Sequence, residues 1–242
     1  MIKGLYTALF GMRPVMRRQD ILSNNLANIN TTGYKKSDLF VRSFIDFVEN
    51  DEQKPFMNDN MKIDEVKIDF SPGPLVQTGG TLDLAIDGKG FFTVDTNDGV
   101  QYTRNGSFTI SNDGEIVDLN GNRLLGEDGP LFIQGNRVTI SPGGYVDVDG
   151  AIMGRVNVVD FQDPTKLEKV GACLFRNFGE ELPQTVENIK LHQGYLETSN
   201  VNTVETMVKM MTAYRNFEAD QRMIHALDET LEKAVNEVGR IR

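Results

Sequence analysis

Short β-type runs separated by Asp-Gly and Asn-Gly pairs fill the middle of the chain, and nothing constrains its fold more. Between Ser71 and Gly154 fall sixteen of the 23 glycines, in pairs such as Asp87-Gly88, Asp98-Gly99, Asn105-Gly106, Asp113-Gly114, Asn120-Gly121 and Asp128-Gly129. Such pairs supply the positive φ that tight hairpin turns require. The runs between them, Leu82–Ile86, Phe91–Asp95, Ser107–Ile110, Glu115–Asp118 and Val138–Ile140, have strand length and strand composition, and 153–161 and 172–176 continue the pattern. The spacing predicts an all-β antiparallel domain over 71–196.

Both ends follow a different period. Leu5, Leu9, Met12, Met16, Leu22, Leu26 and Ile29 recur at largely helical spacing over residues 2–29. Pro14 interrupts the stripe, so the helix either kinks there or begins there, since proline suits a first turn. Gly33 reads as a stop. From Asn200 the chain is helical almost to its end. Asn202 and Glu205 form a capping pattern, and Met210, Ala213, Phe217, Ile224, Leu227, Leu231, Ala234, Val238 and Ile241 mark a heptad-like seam. A helix of about 40 residues is roughly 60 Å long, too long to bury its stripe on one small domain. The expected fold class is therefore α+β: long N- and C-terminal helices, coiled-coil-forming on assembly, flanking the antiparallel β domain. The segments are 1–36 (helical, assembly), 37–70 (extended arm or linker), 71–196 (β-rich) and 197–242 (helical, assembly). In the arm, 49–55 is a polar break.

Chemistry finds little support. A net charge of −10 argues against nucleic-acid binding. The charge is uneven: residues 1–48 carry seven Lys/Arg against three Asp/Glu, and residues 197–242 carry six against eight. The plain reading is solvated faces; the sharper one is a basic first helix that packs beside a mildly acidic last one. Cys173 is the single cysteine, which excludes an internal disulfide, and with only His192 and His225 as bases it reads as structural. No run approaches the roughly 18 apolar residues of a membrane helix, and no signal-peptide pattern opens the chain. No phosphate loop, dinucleotide fingerprint, calcium loop or zinc spacing is present, and Glu180-Glu181 reads as surface charge. The expectation is no enzyme, no cofactor, no metal, no nucleic acid and no membrane insertion. A β-domain glycan-binding module on a coiled-coil stalk is the competing reading; the absence of Trp, the usual sugar-stacking residue, weakens it.

Amide-rich patches lie where the helical and β patterns meet. Ser23-Asn24-Asn25-Leu26-Ala27-Asn28 runs through Thr32-Gly33-Tyr34-Lys35, and Gly194-Tyr195-Leu196-Glu197-Thr198-Ser199-Asn200-Val201-Asn202 opens the last helix. Asn is a mediocre helix former, so this concentration points to amides wanted for hydrogen bonding. These two segments resemble the signatures of the flagellar basal-body rod and hook axial proteins. Ala213-Tyr214-Arg215-Asn216-Phe217-Glu218-Ala219, Leu82–Phe92 and Tyr102–Phe108 are similar to that family as well, in the same order along the chain. The resemblance implies a structural subunit, exported by the flagellar type III apparatus without signal cleavage. It would stack helically into a tube with its own copies and other rod and hook proteins, terminal helices lining the channel, in the cell-envelope part of the basal body; a hook-type protein of the same family is the alternative. It assigns assembly contacts to Asn24, Asn25, Leu26, Ala27, Asn28, Thr32, Gly33 and Tyr34, and to Ser199, Asn200, Val201, Asn202, Glu205, Met207, Met211, Tyr214, Arg215, Phe217, Ile224, Leu227 and Leu231.

Overall fold

A computed structural model of the chain describes residues 2–40, 65–135, 137–179, 182–186 and 189–238. Most of the expected arm, 41–64, and Glu180-Glu181 lie outside the described residues. The chain divides into two compact units, one of residues 1–27, 37–68 and 202–242 and the other of 28–36 and 69–201.

The first unit contains α1 (Ile2–Ala27) and α2 (Thr203–Val238), with a two-stranded antiparallel ribbon of β1 (Ser37–Phe40) and β2 (Glu65–Ile68). α1 runs through Pro14, which removes one ladder hydrogen bond without ending the helix. It stops at Ala27, two residues before the apolar period ends, and a turn follows in which Thr31 N–H donates to Asn28 C=O (3.2 Å). α2 starts where its cap predicts: Asn202 Oδ1 accepts from Glu205 N–H at 3.1 Å. The Glu205 carboxylate is engaged elsewhere, by Lys209 Nζ at 2.7 Å one turn on. Leu22 of α1 and Ala213 of α2 are buried in this unit, and Ser23 Oγ reaches Met210 Sδ (4.0 Å).

The second unit is antiparallel β in every described pairing. Its small ribbons pair β3 (Leu75–Gln77) with β19 (Tyr195–Glu197), and β4 (Leu84–Ile86) with β18 (Leu191–Gln193). The large sheet is built from β5 (Phe91–Thr96), β6 (Gly99–Thr103), β7 (Phe108–Ile110), β8 (Ile116–Asp118) and β9 (Arg123–Gly126), with β10 (Gly129–Pro130) beside β9. A separate three-stranded sheet holds β11 (Val138–Ile140), β12 (Tyr145–Val148) and β13 (Ala151–Arg155). β14 (Val158–Asp160) pairs with β5 and with β17 (Gln184–Thr185), and β15 (Leu167–Gly171) and β16 (Leu174–Asn177) extend the large sheet beside β6. Because side chains alternate along a strand, Phe92 and Val94 enter an aliphatic core with Leu84, Leu124, Val146, Val156 and Leu191. Phe91 instead joins an edge-to-face aromatic cluster with Phe70, Phe161 and Phe175.

Expected strands recur with shifted ends. Ala172 and Cys173 are no part of β16: both have positive φ (47° and 59°) and form the turn from β15, held by Thr103 Oγ1 donating to Cys173 C=O at 2.9 Å. An internal repeat also emerges. In β7–β8 Phe108, Thr109 and Ile110 pair with Asp118, Val117 and Ile116; in β11–β12 Val138, Thr139 and Ile140 pair with Val148, Asp147 and Val146, each thirty positions later. Both hairpins share Thr-Ile-Ser, a Ser–Gly turn bond (Gly114 N–H to Ser111, Gly144 N–H to Ser141, each 2.9 Å) and a positive-φ glycine at Gly114 or Gly144.

Candidate assembly site

The first signature supplies residues to both units, each used within the chain. In the helical unit Asn25 is buried, and its side-chain amide acts as a peptide group toward β1: Nδ2 donates to Ser37 C=O (2.7 Å) and Oδ1 accepts from Ser37 N–H (3.0 Å). Asn24 and Ala27 lie exposed on α1, and Leu26 is half-buried. In the β unit, Asn28 Oδ1 accepts from Thr31 Oγ1 (3.3 Å), and Thr32 Oγ1 donates to Asn105 Oδ1 (2.7 Å). Gly33 N–H donates to Glu197 C=O at 2.8 Å, and here glycine is required: its φ is +66° and a Cβ would stand 2.3 Å from Asn105 N.

Tyr34 and Lys35 are buried beyond it. Lys169 Nζ sits 4.2 Å over the Tyr34 ring and donates to Lys35 C=O. Burial pushes the Tyr34 phenol up to about 12 and the Lys169 ammonium down to about 8. Burial likewise raises the Cys173 thiol, which keeps it from being a ready nucleophile.

One carboxylate joins the two signatures. Glu197 Oε1 accepts from Lys35 Nζ (2.5 Å) and from Gly73 N–H (2.7 Å), and Oε2 accepts from Arg104 Nη1 (3.1 Å). The Lys35, Glu197 and Arg104 side chains are only 1%, 1% and 3% exposed. Lys35 Nζ also donates to Ser71 C=O (2.7 Å) and Arg104 Nη2 to Gly88 C=O (2.7 Å), so the charges are hydrogen-bonded as well as paired. Burial lowers the pKa values of Lys35 and Arg104, and the Glu197 charge opposes it. Sequence reasoning missed this triad. Its signal was opposite charges inside three family-like stretches, Tyr34-Lys35, Arg104-Asn105-Gly106 and Leu196-Glu197.

In the second signature Asn200 grips the residue next to the one that Asn25 holds. Its Oδ1 accepts from Lys36 N–H (2.7 Å), and Nδ2 donates to Asp69 C=O (2.8 Å) and Ser71 C=O (3.2 Å). Ser199 is buried and its Oγ accepts from Val201 N–H (3.3 Å); Val201 is buried too, and Asn202 caps α2.

α2 is apolar on more than one side over its first turns. Thr206 and Ala213 are buried, and Met210, Phe217 and Ile224 are half-buried at matching spacing. Val204, Met207, Val208, Met211 and Tyr214 recur at three and four on the other side, all exposed, Val204 at 72%. Glu205 and Arg215 are also exposed; the Leu227 and Leu231 side chains lie outside the described residues. The helix thus has one apolar side buried in its unit and another that is bare. The exposed side of α1 carries Arg13, Arg17, Asp20 and Asn24 around Met16.

Among the described residues no group of three or more His, Cys, Asp or Glu side chains is placed to hold a metal, and no helix is long and apolar enough to cross a membrane. The chain matches three families in order along its length: residues 5–35 match one described as flagella basal body rod protein, 85–155 the flagellar hook protein FlgE/F/G D1 domain, and 192–237 the flagellar basal body rod FlgEFG protein C-terminal. It is 35% identical over 248 residues to the flagellar basal-body rod protein FlgF of Caulobacter vibrioides, covering 100% of each chain. To FlgG of Bacillus subtilis, another flagellar basal-body rod protein, it is 30% identical over 264 residues, covering 98% of this chain and 99% of that one. It is 31% identical over 271 residues to the flagellar hook-basal body complex protein FlhO of Bacillus subtilis, covering 100% of each.

Proposed function

Because the chain belongs to the flagellar basal-body rod and hook family as a structural axial subunit, we propose that its copies stack helically through α1 and α2 to form part of the tubular rod. In this reading the neighbours are further copies and other rod and hook subunits. The type III export apparatus delivers the chain without signal cleavage, and the tube serves as drive shaft and export channel within the cell envelope.

The observation that carries this reading is the exposed stripe Val204, Met207, Val208, Met211 and Tyr214. Covering it in a neighbouring copy removes apolar surface from water at about 25 cal/mol per Å², and contacts repeated head to tail generate an open helical polymer. The amides Asn24, Asn25, Asn28 and Asn200 serve this assembly by fixing the chain where the helices begin and end. Changing Met207→Lys and Met211→Lys together tests it. Both side chains are exposed, at 45% and 58%, so the monomer fold is expected to tolerate the changes. The double variant is expected to melt like the parent yet fail to pellet as polymer and fail to restore motility to a null strain. Normal rods in cells carrying it would sink the reading.

A further inference from the structure

The two copies of the repeated hairpin differ in what lies beside their third strand. In the first copy β9 is covered by β5, which pairs Val94 with Leu124 and Asp95 with Arg123, and Leu124 is 0% exposed. In the second copy the corresponding strand is β13: Asp147 faces Ile152 as Val117 faces Arg123. Among the described residues β13 pairs with β12 alone, and Ile152 and Met153 are 69% and 44% exposed. Its far end is held where Glu127 N–H donates to Arg155 C=O (3.0 Å), which leaves Ile152 and the bulged Met153 without a strand on that side among the described residues.

Exposed edges are usually blunted by charge or proline. β15, at the border of the large sheet, carries Glu168 and Lys169, and β3 follows Pro72 and Pro74. Ala151-Ile152-Met153-Gly154 carries neither, and its one irregularity is a bulge at Met153. We propose that this edge of β13 is a strand-addition site, filled in the assembled protein by an extended segment of a second copy of the chain. β5 shows the geometry within the molecule: an antiparallel strand lies on the equivalent edge and pairs Val94 with Leu124, the residue equivalent to Met153. A second copy is the occupant because the bare α2 stripe already calls for one alongside, so this inference rests on the assembly reading. A ladder of this length does not hold two free chains together; tethered by another contact, it acts as an intramolecular closure at high effective concentration. An uncharged edge also suits approach of two chains that each carry −10.

The test uses the full chain in monomeric and polymerised form. In polymerised wild type, the Ile152 amide, which faces away from β12, is expected to exchange hydrogen at least tenfold more slowly than in the monomer. The double variant Ile152→Lys/Met153→Lys is expected to keep the wild-type urea midpoint while raising the critical concentration for polymerisation at least tenfold. Leu119→Lys, equally exposed but on the turn before β9, should leave that concentration unchanged. An Ile152 amide that stays unprotected in polymerised wild type, or a double variant that polymerises at the wild-type concentration, overturns strand addition. The Met207/Met211 variant then reports on the assembly reading independently. A wild-type chain that stays monomeric at every accessible concentration overturns both.

Discussion

At the scale of single residues, Glu197 is the group whose loss the β unit tolerates least. Glu197→Gln leaves Lys35 and Arg104 buried with their countercharge gone, and breaking a buried pair in this way costs about 3–5 kcal/mol. Lys35→Met leaves Glu197 still paired with Arg104, so urea denaturation should show a smaller loss; equal losses would mean the carboxylate is no hub. The Lys169–Tyr34 contact predicts an unusual alkaline profile. With the folded pKa of Lys169 lowered to about 8 from 10.5, the unfolded chain binds more protons between those values, so stability rises with pH through that window. Tyr34, raised to about 12 from 10.0, has the opposite sign, and its contribution is lost as pH climbs through 10 to 12. Urea midpoints should therefore rise from pH 8 toward 10 relative to Lys169→Met, then fall relative to Tyr34→Phe; a flat difference in either comparison contradicts the assignment.

At the scale of elements, Asn202→Ala removes the side-chain acceptor for Glu205 N–H and should destabilise the helical unit by about 1 kcal/mol, read as a lower urea midpoint with the β unit unchanged. The elements were largely legible in advance, for local reasons. Five of the six Asp-Gly and Asn-Gly pairs carry a positive-φ glycine and mark turns, whereas Gly106 lacks one and is instead pressed against Leu84 C=O between strands that do not pair; the Asn202 cap needs only its neighbours. What local pattern could not show was who pairs with whom. Ala172-Cys173 looks like strand because it leads straight into Leu174-Phe175, yet Thr103 and the ladder hold it in a turn. Asn25 and Asn200 read as amides in want of partners; their partners, Ser37 and Lys36, carry no sequence mark because it is the backbone that is gripped. The Thr-Ile-Ser repeat was visible in the letters and was masked by the different turns that follow, Leu119-Asn120-Gly121 against Asp149-Gly150.

At the scale of the whole molecule, the chain passes between its two units near residues 27, 36, 68 and 201. Residues 28–36 follow the first helix in sequence but complete the β unit, so truncation at two nearby points should have unlike effects. Removing residues 1–27 should leave the β unit with its full resistance to urea. Removing 1–36 also takes away Lys35 and Tyr34 and should cost the β unit about 3–5 kcal/mol. Equal stability of the two truncated chains would show that the strap contributes nothing.

The Lys35–Glu197 bond spans 162 residues, and that separation is a statement about time. Closing so large a loop carries an entropic cost before any contact repays it, and folds dominated by such pairings form slowly. A chain built from its first residue onward has Lys35 in place long before Glu197 exists. The β unit cannot lock until both are present, so the bond that secures the finished unit is among the last that its chain can make.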